Sequence, residues 1–179
     1  MADTWTLLCS GVTFAVNETM SGIWNSSATR LLKIRRIGLI NYQTVAAAGV
    51  VCQLNIQRLT ATSSWPPGVD FVAVSALPHD TDNTALDSVT SGYYGDPATT
   101  GVTDIVRRLI WSSDEPSLSS ATNDEWECLV PLNIVWDCGY IDTNCQPLVL
   151  REDEMVWLKN IAGAAGLLDS WYEFTNEAV

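Results

Sequence analysis

The residues that do most protein chemistry are scarce in this chain. There is one histidine, His79, and nine lysines and arginines stand against 21 aspartates and glutamates, for a net charge of −12. So acidic a surface is repelled by phosphate backbones, which argues against nucleic acid as a partner. The five cysteines (Cys9, Cys52, Cys128, Cys138 and Cys145) contain no Cys-x-x-Cys pair, and a lone histidine cannot complete a ligand set, so no structural zinc site is expected. They read as buried free thiols, and all five are expected to stay unpaired in a protein folded in a reducing compartment. Cys128 and Cys138 would lie roughly 33 Å apart on one extended strand, beyond disulfide reach. No Gly-x-Ser-x-Gly elbow and no phosphate-cradling glycine loop occurs. The expectation is a chain with no catalytic residue, no metal ligand and no cofactor, and hence not an enzyme.

Long apolar runs are missing too. None approaches the roughly 18 residues that would span a bilayer, and the opening Met-Ala-Asp-Thr-Trp lacks the basic and apolar regions of a signal peptide. The chain is therefore expected to be made in a cytoplasm and to have no membrane partner. Charged residues make up only 17%, below the usual quarter, so Ser, Thr, Asn and Gln carry much of the surface.

What is present is a period of two. From Val50 to Thr60 the even positions are Val50, Cys52, Leu54 and Ile56, opposed by Gln53, Asn55 and Gln57, the pattern of a half-buried strand. From Trp126 to Cys138 the even face is Trp126, Cys128, Val130, Leu132, Ile134 and Trp136, with Pro131 on the odd face pointing to an edge strand or a break. In Arg30–Ile40, Leu32 and Ile34 are even but Ile37 and Leu39 are odd. One extra residue at Arg35–Arg36 would return all four to one face, which predicts a β-bulge there. Further strands are expected at Trp5–Cys9, Val12–Val16, Phe71–Ser75, Ile105–Trp111, Pro147–Arg151, Met155–Ile161 and Trp171–Thr175. Thr90–Gly101 and Ser63–Gly68 read as loops, and the Ala- and Gly-rich Ile161–Leu168 as a loop or a helical turn. With no amphipathic helical stripe, the whole predicts one all-β domain over 1–179, an antiparallel sandwich or barrel of about eight to ten strands, with 1–29 as an N-terminal hairpin or arm.

Four of the nine bases (Arg30, Lys33, Arg35 and Arg36) fall within seven residues. The plain reading of such a strip is a solvated strand face. The sharper one is contact with acids of another molecule, for instance the turn Glu152–Glu154 of a neighbouring copy. His79, Asp80, Asp82 and Asn83 resemble the start of a calcium loop but lack its glycine and distal glutamate, so they read as a solvated polar loop. Among the eight tryptophans, Trp126, Trp136 and Trp157 sit in apolar-faced strands and are expected in the core. Trp24 and Trp65 fall in polar surroundings, where they would serve as interface anchors or as stacking platforms for a sugar.

The stretch Lys33-Ile-Arg-Arg-Ile37 with Asn41 and Gln43, then Ala48-Gly-Val50 leading to Ile56-Gln-Arg-Leu-Thr60, is followed late in the chain by Gln146–Arg151, the acidic turn Glu152–Glu154 and Trp171–Phe174. This order resembles the head-decoration, or capsid cement, proteins of tailed bacteriophages. The resemblance implies a jelly-roll β-sandwich, commonly a homotrimer without enzymatic activity. Its partners would be further copies of itself and the major capsid protein lattice, on the outside of a virion. The interface candidates on this reading are Lys33, Arg35, Arg36, Trp24, Trp65, Glu152 and Glu154. The alternative from another class is a carbohydrate-binding, lectin-like β-sandwich using exposed Trp and Tyr loops.

Overall fold

Alternation of apolar and polar residues makes strands that bury one face, and strands of this kind are stable only when two such faces meet. A computed structural model describes residues 3–41, 50–60, 72–86, 90–94, 103–113, 133–138, 145–163 and 166–179. Among them are twelve strands and no helix: β1 (Asp3–Phe14), β2 (Thr19–Asn25), β3 (Arg30–Asn41), β4 (Val50–Leu59), β5 (Val72–Val74), β6 (Leu77–Pro78), β7 (Thr90–Tyr94), β8 (Thr103–Ser113), β9 (Asn133–Asp137), β10 (Leu148–Leu150), β11 (Glu154–Gly163) and β12 (Gly166–Ala178). They form two six-stranded antiparallel sheets. The first runs β10-β3-β12-β1-β6, with β9 also on β3, and the second runs β5-β7-β2-β11-β4-β8.

Early strands pair with late ones in a regular order. β1 lies on β12, β2 on β11, β3 on β10 and β4 on β8, and successive pairs alternate between the two sheets. The inward faces meet in one core, where Leu7, Ile23, Leu32, Ile34, Ile37, Leu39, Leu54, Ile56, Leu158 and Phe174 are all 1% exposed or less. Each such side chain contributes about 1.5–3 kcal/mol by leaving water.

The basic strand behaves as its parity requires. On β12, Glu173 faces Arg36 and the next residue, Phe174, faces Ile34, which leaves Arg35 as the extra residue of a bulge. Leu32, Ile34, Ile37 and Leu39 consequently all point into the core.

Several expectations need correction. The segment 1–29 is neither an arm nor a hairpin over its described residues: β1 (Asp3–Phe14) pairs with β12 in the first sheet and β2 with β11 in the second, and β1 is interrupted between Cys9 and Val12 where Gly11 takes a φ of 66°. Trp24 lies in a strand, not a loop. The segment Thr90–Tyr94, read as loop, is strand β7. Strand β11 runs on to Gly163 and β12 begins at Gly166, so much of the Ala/Gly stretch is extended. Of the long alternation Trp126–Cys138, residues 126–132 lie outside the described residues. In the rest Ile37 faces Trp136 and Gly38 faces Ile134, so Val135 is an extra residue. Val135 is buried and Ile134 is 45% exposed, the reverse of the even-face expectation. The acidic turn Glu152–Glu154 carries the chain from β10 in the first sheet to β11 in the second, and so joins the sheets instead of two paired strands. Asp153 takes a φ of 59° there.

Candidate interaction surface

The outer faces of the two sheets differ. On the second sheet, Trp157 and Met155 of β11 and Leu59 of β4 are buried in a small cluster outside the main core, and Trp24 packs against them. The Trp157 indole N–H donates to Gln57 Oε1 at 2.8 Å. Asn55 and Gln57, expected on a wet face, are buried as a result of standing on this side. Trp157 is thus buried, but not between the sheets, and Trp24 is half-buried instead of a free anchor.

The outer face of the first sheet carries a row of apolar residues in register across four strands. Leu8 of β1 stands opposite Trp171 of β12, Trp171 opposite Gly38 of β3, and Gly38 opposite Ile134 of β9. Leu8 is 46% and Ile134 45% exposed. The Trp171 ring lies directly over Gly38, in the space any Cβ there would need. A glycine in mid-strand weakens the ladder and is kept where another group must approach closely, which is its use here. Beside this row runs a charged one. Arg36 stands 3.5 Å from Asp137 on one side and 3.6 Å from Glu173 on the other, all three side chains about a quarter exposed. An apolar strip with a charged border is the usual anatomy of a protein contact.

A second exposed apolar feature lies on β8, which ends the second sheet among the described residues. Ile105 is 47% and Ile110 75% exposed along this strand of Thr103–Ser113.

Lys33 and Arg36 of the basic strip and Glu154 of the acidic turn have partners within the chain. Lys33 Nζ lies 2.5 Å from Glu177 Oε2, and Arg36 is taken by Asp137 and Glu173. The hydrogen bond from Lys33 holds the Glu177 carboxyl below its usual pKa. Glu154 pairs with Arg58 at 2.5 Å and accepts the Arg151 backbone N–H at 2.8 Å. Arg35 sits at the bulge, where its carbonyl accepts the Cys138 N–H at 2.8 Å. Glu152 is exposed in the turn. Trp65 lies outside the described residues. The structure therefore brings none of the basic strip to the acidic turn, and it adds Leu8, Trp171 and Ile134, which sequence reasoning did not single out. Leu8 had a visible signal, an apolar residue at the polar parity of a strand whose inward set is Trp5, Leu7 and Cys9.

His79 is exposed, with Nε2 2.6 Å from Thr6 Oγ1 and its backbone N–H donating to the Thr4 carbonyl. Asp80 accepts the Asp82 N–H at 3.0 Å and so organises a surface turn. Among the described residues no three acidic, cysteine or histidine side chains gather as a metal site. A shallow cleft of about 390 Å³ is lined by Arg58, Gln146, Pro147, Leu148, Val149 and Arg151. The Arg58 charge on its wall is already met by Glu154. No helix among the described residues is long and apolar enough to cross a membrane. Compared with family models, curated proteins and solved structures, the chain matches none.

Proposed function

We propose that this chain is a virion structural protein of a bacteriophage, which decorates and stabilises the capsid surface through contacts with its own copies and with the major capsid protein. The observation that carries this reading is the exposed row Leu8–Trp171–Ile134 across four strands. Contacts made by a rigid sheet face repeat identically from copy to copy, and weak identical contacts on a lattice add up to high avidity. A trimer needs one surface for itself and another for the lattice, and the β8 edge with Ile105 and Ile110 offers the second. The strand order supports a jelly roll for the same domain. Pairing β1 with β12, β2 with β11, β3 with β10 and β4 with β8, alternately in two sheets, is what results when one long antiparallel ribbon is rolled up. That architecture recurs in capsid proteins, and its function lies in surfaces and not in a pocket.

The test is the double variant Leu8→Asp, Ile134→Asp, with mass in solution measured by sedimentation and particle occupancy by co-sedimentation with capsids. Both residues are about half exposed, so the β-signal in circular dichroism should be retained. Loss of trimer mass or of particle occupancy is expected. Wild-type protein that is monomeric and fails to bind capsids, or a variant unchanged in both assays, would refute the proposal.

A further inference from the structure

Strands β9 and β10 share one edge of β3. Reading along that edge, Leu39 faces Asn133, Ile37 faces Trp136 and Arg36 faces Asp137, while Ile34 faces Leu148 and Leu32 faces Leu150. Cys138 fills the position between them, its N–H on the Arg35 carbonyl at 2.8 Å. The two segments thus lie end to end along one edge of β3, like one broken strand. Cys138 directly follows β9, and Cys145 stands shortly before β10. The Cys138 thiol donates to the Cys145 carbonyl oxygen at 2.8 Å, and the Cys145 sulfur lies 4.0 Å from the Asp137 carbonyl oxygen. Each sulfur therefore rests against the backbone of the other's segment. A carbonyl oxygen is about 2.4 Å from its own Cα, which puts the Cys138 sulfur within about 5 Å of the Cys145 Cα. The Cys145 side chain itself acts on the Cys138 thiol, so the two sulfurs are already neighbours, as a disulfide between them requires.

We propose that Cys138 and Cys145 form an oxidation site: free thiols as the chain folds, joined by a disulfide when the protein meets a low-molecular-weight disulfide outside a reducing compartment. Cys145 is the more accessible of the two and meets the reagent first. Its thiolate attacks one sulfur of the reagent, giving a mixed disulfide and releasing one reagent thiolate. Cys138 then loses its proton to solvent and attacks the Cys145 sulfur, and the second reagent thiolate leaves. The protein loses two electrons and two protons, and one disulfide reagent becomes two thiols. Burial pushes the Cys138 thiol up to about 11, so this second step is the slow one and quickens with pH. Cys9 and Cys52, raised to about 12 and about 11 by burial within the sandwich, stay out of the exchange. The product bond would fasten the broken strand at its gap, so that β9 and β10 hold the edge of β3 as one.

The experiment treats the whole protein with excess oxidised glutathione, alkylates the remaining thiols, and maps peptides by mass spectrometry. The expected result is a product lighter by two hydrogen atoms, a Cys138–Cys145 cross-link, and three alkylated cysteines. The thermal midpoint should rise by roughly 5 °C on oxidation, as expected for closing so short a loop. Cys145→Ser, a change at a partly exposed position, should abolish both the cross-link and the rise while leaving the reduced midpoint unchanged. A cross-link to Cys128 instead, a stable glutathione adduct at Cys145, or a midpoint that rises equally in Cys145→Ser would overturn the proposal. The site is independent of the proposed virion role, whose failure would leave this chemistry untouched.

Discussion

Two serines and a tyrosine join the sheets in the middle of the core. Ser21 of β2 in the second sheet lies 2.6 Å from Ser170 Oγ and 2.8 Å from the Tyr172 hydroxyl, both on β12 in the first. All three are fully buried, and the Cys9 thiol lies against Ser170 from β1. Burial raises the Tyr172 pKa well above its ordinary value. Removing different members of this set leaves different debts. Tyr172→Phe removes one hydrogen bond but leaves Ser21 bonded to Ser170, a loss of about 1 kcal/mol. Ser21→Ala removes two bonds and strands the Tyr172 hydroxyl in an apolar interior, while Ser170 keeps Cys9 as a neighbour. Adding the desolvation of an orphaned hydroxyl, this change should cost about 2–4 kcal/mol.

The double variant Ser21→Ala, Tyr172→Phe has no stranded hydroxyl. It should be no less stable than Ser21→Ala alone, which makes the coupling between the sites about 1–3 kcal/mol. Urea unfolding with unchanged m-values, and thermal midpoints shifted about 2–4 °C per kcal/mol, would read these differences. A double variant whose loss is the simple sum of the two single losses would refute the reasoning, since it would mean the hydroxyl is hydrated or rebonded. The pH dependence gives an independent check. The folded pKa of Tyr172 is raised, so its contribution is complete below the unfolded value near 10 and is lost as pH rises beyond it. The wild type should lose stability faster than Tyr172→Phe in that alkaline range.

Two further outcomes follow from the first sheet. Gly38→Val should expel the Trp171 ring from its seat, costing about 1–3 kcal/mol in urea unfolding and changing the tryptophan fluorescence, whereas the same change at a solvent-facing strand position would do neither. Glu177 has a depressed folded pKa from its bond to Lys33, so its stabilisation is present above the usual glutamate value and lost as pH falls through the lower one. Wild type and Glu177→Gln should differ by about 0–1 kcal/mol at neutral pH in low salt and converge in strong acid; a difference that persists there would refute the pair's role.

The strands whose inward residues are apolar could be read directly, because parity alone places them. The bulge at Arg35 is the clearest case: four aliphatic side chains out of phase leave no other inexpensive solution, since burying an arginine unpaired costs more than displacing one residue. Strand β2 was illegible for the opposite reason. Its inward positions include Ser21 and Asn25, and these are satisfied only by groups distant in sequence, Ser170 and Tyr172 for one, the Arg30 and Leu150 carbonyls for the other. Strand β7 hides similarly behind Gly92, whose missing side chain makes room for Leu7. A polar inward residue looks like a loop until its partner is known.

The surface was harder to read than the core because exposure depends on register between strands. Leu8, Trp171 and Ile134 are separated by most of the chain, and nothing local says that they share a row. Ile134 even carried a misleading parity, which the extra residue Val135 reverses. The charged residues that drew attention instead are largely engaged within the chain, Lys33 with Glu177, Arg36 with Glu173 and Asp137, Glu154 with Arg58. Their clustering in sequence reflects strands that need opposite charges on adjacent ladders. Lys33, Arg36 and Arg58 are each drawn to carboxylates that a neighbouring strand brings beside them. The apolar residues that the sheet does not turn inward, Leu8 and Ile134, stay exposed on its outer face.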